Sequence, residues 1–314
     1  MRFVVTLLLV VAAASPALAD PCPTNPDALG TSRVITVSPE DFTRIGSMQY
    51  KQTLPLKDHE VVLTFDDGPL PPYSDSVLDT LASQCVKATY FLVGQMARAY
   101  PATVRRIYNE GHTIGTHSLD HPLVFQNLSL DRVEREVDGG INLVDQALGD
   151  PAALSPFFRI PGLGRSNTAE GFLASHSLVT WSADVVADDW FRHINAQQIV
   201  QRAMRRLEAR GRGILLLHDI HPATAMALPV LLKQLKSNGF RIVQVVAAGE
   251  RPLSLPALVA SGKSAWPTVV KTSARSGETP ARRHGVKLAS ARKARTAVVA
   301  IAPSGDYLAN SGQF

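Results

Sequence analysis

The chain has 314 residues, of which 45% are hydrophobic and 19% are charged, with two cysteines and a formal net charge of +5. This apolar fraction excludes a wholly disordered chain, and two cysteines are too few for a small fold built on disulfides. The positive charge belongs to the C-terminal segment, because residues 251–314 hold 10 Lys and Arg against 2 Asp and Glu, whereas residues 1–250 hold 22 against 25.

The first 19 residues have the pattern of a secretory signal peptide. One positive charge at Arg2 precedes an apolar run over residues 3–14, and the Ala-Leu-Ala sequence at 17–19 predicts cleavage before Asp20. A membrane anchor is the alternative, but the run is shorter than the roughly 20 residues that a transmembrane helix needs. We therefore expect an exported protein, either periplasmic or secreted, with no transmembrane span.

Export also decides how the two cysteines are interpreted. In an oxidising compartment Cys22 and Cys85 can pair, which would tie the mature N-terminus to the body of the protein. The alternative is two unpaired thiols, with Cys85 simply buried beside Val86. Neither cysteine has the sequence context of a catalytic nucleophile, so a thiol enzyme is not expected.

Short apolar runs alternate with amphipathic stretches from about residue 60 to residue 248. The predicted strands are 61–65, 88–93, 113–116, 157–160, 178–182, 214–217 and 240–246. The predicted helices are 75–83, 101–109, 129–148, 168–175, 196–210 and 223–237. About seven repeats of strand and helix predict an α/β fold with a parallel sheet, either an incomplete barrel or an open doubly wound sheet. No Gly-x-Gly-x-x-Gly follows the first strand, so nothing favours a dinucleotide-binding version.

The same pattern divides the chain into four segments. These are a signal peptide at 1–19, an irregular lead-in at 20–57, the α/β domain at 58–250 and a low-complexity basic tail at 251–314, which we expect to be disordered. The tail either holds the protein near an anionic surface of the cell envelope or is solvated without a partner. The domain is mildly acidic, so we expect no nucleic-acid partner, and we expect a monomer.

Polar side chains follow five of the predicted strands at their carboxyl ends. They are Asp66-Asp67-Gly68-Pro69, His117-Ser118-Leu119-Asp120-His121, Arg159-Ile160-Pro161-Gly162, Asp184 and His218-Asp219. In barrels and open α/β sheets this edge binds ligands, because the loops there converge around one cleft. Taken singly, an Asp-Asp-Gly-Pro sequence is typical of a turn, and a histidine after three leucines is typical of a core. Taken together, one carboxylate and two imidazoles form a facial ligand set for zinc or another divalent transition metal.

In order and approximate spacing these motifs resemble the NodB-like polysaccharide deacetylases, carbohydrate esterase family 4. The resemblance covers about residues 58–248 and rests on Thr64-Phe65-Asp66-Asp67-Gly68-Pro69, His117-Ser118-x-x-His121, Arg159-x-Pro161, Trp181-x-x-Asp184 and Leu215-x-x-His218-Asp219. It implies a distorted (β/α)-barrel of fewer than eight units, in agreement with the seven counted. It also implies a metal-dependent hydrolase of carbon–nitrogen bonds that removes N-acetyl groups from an N-acetylglucosamine-containing polysaccharide or oligosaccharide, of chitooligosaccharide or peptidoglycan type. An O-acetyl esterase acting on xylan and a catalytically silent carbohydrate-binding protein are the alternatives.

The resemblance implies a role for each matching residue. Asp67, His117 and His121 would hold the metal, for which zinc is the first choice and cobalt or manganese are alternatives. Asp66 would be the general base, Arg159 would orient it, His218 would be the general acid and Asp184 would tune His218. In the substrate groove, Leu216 would line the acetyl pocket, the Gly162 N–H would face the oxyanion, and Trp190 would contact the substrate.

This sequence departs from the family pattern at two positions. The residue after Pro161 is commonly Tyr in the family and is Gly162 here, which keeps a backbone N–H but removes an aromatic side chain. The family commonly has Asp-x-x-Asp-Trp as its fourth motif, whereas here Asp189 and Trp190 follow Asp184 with two additional residues between the carboxylates.

Overall fold

Parallel strands alternate with helices along the chain in the computed structural model, which describes Cys22 and residues 25–249. The strands within these residues are β1 (Thr31–Val37), β2 (Arg44–Ile45), β3 (Glu60–Asp66), β4 (Thr89–Leu92), β5 (Thr113–Thr116), β6 (Phe157–Arg159), β7 (Val179–Trp181), β8 (Val185–Val186), β9 (Gly213–His218) and β10 (Arg241–Ala247). The helices are α1 (Tyr73–Ser83), α2 (Gly94–Ala99), α3 (Pro101–Asn109), α4 (Leu130–Leu148), α5 (Asn167–Ser175), α6 (Ala196–Arg210) and α7 (Pro222–Ser237). The predicted signal peptide at 1–19 and the predicted disordered basic tail at 251–314 lie outside the described residues.

Seven of the strands form a distorted barrel. β3 pairs with β9 on one side, from Val61 opposite Gly213 to Asp66 opposite His218, and with β4 on the other. The pairing continues through β5, β6 and β7 in one direction and reaches β8 through β9 in the other. Residues 182–184 connect β7 to β8, the two ends of this series. The predicted α/β barrel is therefore confirmed, and the open doubly wound alternative is not what forms.

The seventh strand of this series is not the one that the sequence predicted. The apolar run at 240–246 becomes β10, which pairs with the amino end of β3 and with β1. The two-residue strand β8 takes the seventh place beside β9. Two residues are too few for a periodic pattern, so β8 gives no strand signal in the sequence.

Both faces of the strands β3 to β7 are buried, which explains the nearly continuous apolar sequences of most of them. Along β3, Val61, Leu63 and Phe65 belong to the cluster that packs against the helices. The alternate residue Val62 belongs to a second cluster, which also contains Phe91, Phe157, Val179, Trp181 and Ile214 from the neighbouring strands. Because side chains alternate along a strand, Thr64 and Asp66 face the same way as Val62, into the barrel.

The segment at 20–57, expected to be irregular, contains two strands. β1 pairs with β10 and β2 pairs with β7, both in parallel. β1 contributes Ile35 and Val37 to the second cluster, the one that contains Val62, whereas its residues 31–33 are only partly buried. Half-buried β-branched residues form a strand here because a partner strand is available, and that tertiary contact is not readable from the segment alone.

The lead-in is also attached covalently. Cys22 and Cys85 form a disulfide with an Sγ–Sγ distance of 2.01 Å, which confirms the first of the two alternatives for the cysteines. Beside it, the Gly30 N–H donates to the Gln84 carbonyl, and the Thr31 hydroxyl accepts from the Lys87 N–H. The turn after α1 therefore anchors the start of the described chain.

Capping residues and left-handed glycines mark the boundaries of α4 and α6. Asn195 and Gln198 form a capping box at the start of α6, and Gly211, with φ of +81°, ends that helix. Gly149, with φ of +76°, ends α4 in the same way. None of the helices in the described residues is long and apolar enough to cross a membrane.

Candidate active site

Two adjacent carboxylates lie where β3 ends. Asp66 is the last residue of the strand and points into the barrel, opposite His218 on β9. Asp67 follows with φ of +75°, a left-handed backbone conformation that is uncommon for a residue with a side chain. Both carboxylates are almost fully buried, at 1% and 4% relative exposure.

Three side chains converge as a potential metal site. The carboxylate of Asp67 and the imidazoles of His117 and His121 offer ligand atoms that all lie within 4.8 Å of one another. The Asp67 Oδ1 atom is 3.4 Å from His117 Nε2 and 3.2 Å from His121 Nε2. The structure thus brings together all three residues that the sequence assigned to the metal.

The protonation and hydrogen bonding of these groups fit a cation. The His117 Nδ1 atom lies 2.6 Å from the Arg159 carbonyl, to which it donates, so Nε2 is the nitrogen that faces Asp67 and is left to bind a metal. Burial lowers the pKa of His121 to about 4, so this imidazole is neutral at neutral pH. The buried Asp67 Oδ1 accepts no hydrogen bond. A buried carboxylate oxygen facing two imidazoles is the donor set that a divalent transition metal satisfies.

The backbone at this site has left-handed conformations that residues other than glycine rarely adopt. His121 has φ of +55° and Ser118 has φ of +71°, and the Ser118 hydroxyl accepts from the His121 N–H at 3.0 Å. After Asp67, a Cβ atom on Gly68 would lie 2.2 Å from the Asp219 carboxylate, so no larger residue fits there. Such conformations cost free energy and persist where the surrounding structure imposes them, which is common at functional sites.

Arg159 holds Asp66 in place. Its guanidinium, which is fully buried, donates to Asp66 Oδ1 at 2.6 Å and to the Thr64 hydroxyl at 2.8 Å. A second nitrogen donates to the Ser182 carbonyl at 2.9 Å, and the guanidinium lies over the Phe91 ring at 4.2 Å. The pairing of Arg159 with Asp66, which the sequence predicted, is present in the structure.

On the neighbouring strand β9, His218 is bound to Asp189. The His218 Nδ1 atom lies 2.8 Å from Asp189 Oδ1, and the His218 N–H donates to Asp189 Oδ2 at 2.7 Å. The Thr224 hydroxyl also donates to Asp189 Oδ2, at 2.7 Å. Burial lowers the pKa of His218, but the carboxylates, first Asp189 and then Asp67 and Asp66, more than offset this and raise the pKa to about 10. His218 is therefore protonated at neutral pH.

Asp184, which was predicted to tune His218, makes its hydrogen bonds with other residues. The Asp184 carboxylate accepts from the Ser47 N–H at 2.8 Å, from the Ile214 N–H at 2.9 Å and from the Thr53 and Ser47 hydroxyls. It fixes the segment after β2 to β9, which is a structural task. The carboxylate that contacts His218 is Asp189, five residues further along the chain.

Of the three remaining predicted residues, one lies on β9 and two lie in segments that follow strands. Leu216 is buried on β9 beside Thr64 and faces the same way as His218. The ring of Trp190 packs edge-on against His218, with centroids 5.6 Å apart. Gly162 is exposed in the short 3-10 helix Pro161–Leu163 with φ of +56°, a left-handed conformation that favours glycine over tyrosine.

Sequence reasoning missed Asp189 as a functional residue, although a signal was present. Asp189 directly precedes Trp190, the arrangement that ends the family's fourth motif, whereas Asp184 was chosen for its distance from Trp181. In the structure, the carboxylate that contacts His218 is the one that directly precedes Trp190. The two additional residues are absorbed in the segment that contains β8 and Asp188, which has φ of +56°.

Comparisons with known proteins agree with this geometry. A family model described as polysaccharide deacetylase matches residues 53–181. A peptidoglycan-N-acetylglucosamine deacetylase of Bacillus cereus is 32% identical over 198 residues, which are 61% of this chain and 89% of the relative. This chain belongs to the polysaccharide deacetylase family.

Two further relatives are longer than this chain. The Listeria monocytogenes peptidoglycan-N-acetylglucosamine deacetylase PgdA is 34% identical over 185 residues, which are 59% of this chain but 38% of the relative. This chain therefore matches about two fifths of that protein's length. Among solved structures, a Bdellovibrio bacteriovorus peptidoglycan deacetylase superposes with a TM-score of 0.61 at 28% identity, covering 77% of this chain and 63% of the other.

The match to the family model includes only part of the site. Residues 53–181 contain Asp66, Asp67, His117, His121 and Arg159. Asp189, Trp190 and His218 lie beyond the match. The assignment of these three to the same site therefore rests on the structure.

Proposed function

We propose that this polysaccharide deacetylase is a metal-dependent hydrolase that removes N-acetyl groups from an N-acetylglucosamine-containing glycan. The observation that carries the proposal is the juxtaposition of Asp66, bound to Arg159, with His218, bound to Asp189, beside the Asp67–His117–His121 set. His117 Nε2 lies 3.8 Å from Asp66 Oδ2, so the base candidate borders the metal site. The names of the curated relatives support a peptidoglycan-type substrate.

The side chains divide the reaction between a base and an acid. Asp66 accepts a proton from the attacking water, and Arg159 stabilises the negative charge that Asp66 needs for this role. As the carbon–nitrogen bond breaks, protonated His218 donates its Nε2 proton to the departing amine, while Asp189 holds the ring by Nδ1. The products are acetate and a free amino sugar, so atoms and charge balance.

A divalent cation held by Asp67, His117 and His121 would polarise the acetyl carbonyl and lower the pKa of water. The mixed oxygen and nitrogen ligand set favours zinc, with cobalt or manganese as alternatives. The exposed Gly162 N–H is a candidate donor to the oxyanion, because the first N–H groups of a helical turn have no acceptor within it. Leu216 is the candidate for the wall of the acetyl pocket.

We also propose that the protein is exported, to the periplasm or the medium. Two observations support export: the signal-peptide pattern at 1–19 and the Cys22–Cys85 disulfide, since disulfides persist in oxidising compartments. A fusion of residues 1–20 to a periplasmic reporter should be exported and cleaved before Asp20. Retention of an uncleaved fusion in the cytoplasm would contradict export.

Acetate release tests the reaction and the substrate class together. We expect the metal-loaded protein to release acetate from chitooligosaccharides or peptidoglycan, and activity on acetyl-xylan alone would establish the O-acetyl esterase alternative instead. Asp66→Asn should lower the rate by about 10²–10⁴-fold, the usual contribution of a general base. Asp41→Asn, a change at an exposed carboxylate, is the control and should be as active as the wild type. Full activity of Asp66→Asn would overturn the assigned base.

A further inference from the structure

An exposed aromatic ring lies next to the acid side of the site. Phe191 is 38% exposed and directly follows Trp190. Its ring centroid is 5.5 Å from that of Trp190, which is in turn 5.6 Å from that of His218. The three rings form a continuous series that leads from the proposed general acid to solvent.

Few large hydrophobic side chains are exposed in the part of the chain that the structure describes. The large hydrophobic residues that are exposed in the described part of the chain are Val34, Met48, Val124, Leu130, Phe191, Met226 and Val230. Phe191 is the aromatic member of that group. Within residues 25–249, the large aromatic side chain that is classed as exposed therefore adjoins the proposed catalytic acid.

Contacts with Arg202 and Asp188 hold the Phe191 ring in position. The Arg202 guanidinium lies 5.6 Å from the Phe191 centroid, and Arg202 donates to the buried Asp188 at 2.7 Å. Arg206 donates to both oxygens of Asp188 at 2.8 Å and to the Val186 carbonyl at 2.7 Å. The Phe191 N–H donates to the Asp188 carbonyl at 3.2 Å. A ring fixed in this way loses little conformational entropy when a ligand stacks on it.

We propose that Phe191 is a platform for a second sugar ring of the glycan, next to the sugar that carries the acetyl group. This inference rests on the proposed function, because it assigns to Phe191 the part of a polymeric substrate that extends beyond the reacting unit. A flat apolar ring face suits the C–H-rich face of a pyranose. Because the Phe191 ring adjoins Trp190 and through it His218, the ligand that reaches it is the glycan whose reacting sugar lies at His218. Phe191 thereby makes the enzyme prefer oligomers over a single sugar.

The test is the dependence of kcat and KM on oligomer length. With metal-loaded protein and N-acetylglucosamine oligomers of increasing length, Phe191→Ala should raise KM by about three- to tenfold for oligomers that extend onto the platform. The KM for the shortest substrate that is cleaved, and the pH profile of kcat, should stay unchanged. Phe191→Tyr should restore the wild-type KM. Val34→Ala, at a residue of β1 with the same 38% exposure, is the matched control and should change nothing.

Failure of the platform and failure of the proposed function give different results. If wild-type protein releases acetate and Phe191→Ala has the same KM as wild type at every length, or a KM raised equally at every length, the platform is refuted and the function stands. If wild-type protein releases no acetate, the function fails, and calorimetric binding of the same oligomers still decides on the platform. Binding that weakens in Phe191→Ala only for the longer oligomers supports the platform, whereas unchanged binding or none at all refutes it.

Discussion

The two sides of the candidate active site are built in different ways. On the base side, Asp66, His117 and Arg159 lie at or directly after the ends of paired strands, and Arg159 reaches Asp66 across the barrel. On the acid side, His218 also ends a strand, but its partner Asp189 comes from the irregular segment between β8 and α6. Strand pairing positions the base, whereas a loop positions the residue that controls the acid.

This difference explains why one side is more readable from sequence than the other. Parallel strands with buried faces have a fixed register, so a polar residue at the end of a buried run faces a known edge of the barrel. A loop has no such register. The position of Asp189 depends instead on Asp188 and on two arginines of α6, contacts between residues 14 to 20 positions apart in the chain.

The largest effects are expected from changes on the strand-borne side. His117→Ala should lose the metal and with it nearly all activity, because the remaining Asp67 and His121 cannot complete the ligand set. Asp66→Asn should lose activity by about 10²–10⁴-fold while keeping one metal per chain. Metal content by elemental analysis, measured beside acetate release, separates the two variants. Stoichiometric metal in His117→Ala would refute the ligand assignment.

A smaller but more specific effect is expected on the loop-borne side. Burial alone lowers the pKa of His218 below its ordinary value of about 6.5, and Asp189, followed by Asp67 and Asp66, raises it to about 10. In wild-type protein the acid therefore stays protonated until the pH approaches 10. In Asp189→Asn the loss of activity should begin several pH units lower, which a pH profile of kcat between 5 and 10 measures.

Asp184→Asn is the matched control for Asp189→Asn, since both aspartates are buried and accept several hydrogen bonds. It should lower the free energy of unfolding by about 1–3 kcal/mol, because Ser47, Thr53 and Ile214 lose a charged acceptor. Its pH profile should match that of the wild type. A profile shifted in Asp184→Asn and unchanged in Asp189→Asn would reinstate the prediction made from sequence.

The support of the loop should matter less than the carboxylate itself. Arg206→Lys keeps the positive charge but cannot bind both oxygens of Asp188 in the fork geometry of arginine. We expect a several-fold decrease in kcat, with a pH profile intermediate between those of wild type and Asp189→Asn. A wild-type profile in this variant would show that Asp189 keeps its position without the Asp188–Arg206 contact.

The smallest effect on catalysis is expected from the disulfide, which is remote from both sides of the site. Replacing Cys22 and Cys85 together by Ser should lower the free energy of unfolding by about 2–4 kcal/mol, as measured by urea denaturation, since the pair closes a long loop. The kcat of the folded variant should not change. A large loss of kcat at temperatures where the variant is folded would show that the lead-in contributes to the site.

Particular residues show what could be predicted from sequence and what could not. Asp67, His117 and His121 were identified because motif order and strand ends both indicated the same edge, and α3 was predicted with the bounds that it has. The strands β1, β2 and β8 were missed because their burial depends on distant partners. Asp189 was missed because the partner of His218 was chosen by its distance in sequence from Trp181. The contact with His218 depends instead on how the loop after β8 folds.

The central claim is that a single metal site, flanked by the Asp66 base and the His218 acid, removes N-acetyl groups. Its most direct test is a titration of metal-stripped wild-type protein with zinc, followed in parallel by acetate release from N-acetylglucosamine oligomers. We expect that stripped protein is inactive and that one equivalent of metal per chain restores full activity. Undiminished acetate release by the stripped protein, or a requirement for two or more equivalents, would contradict it.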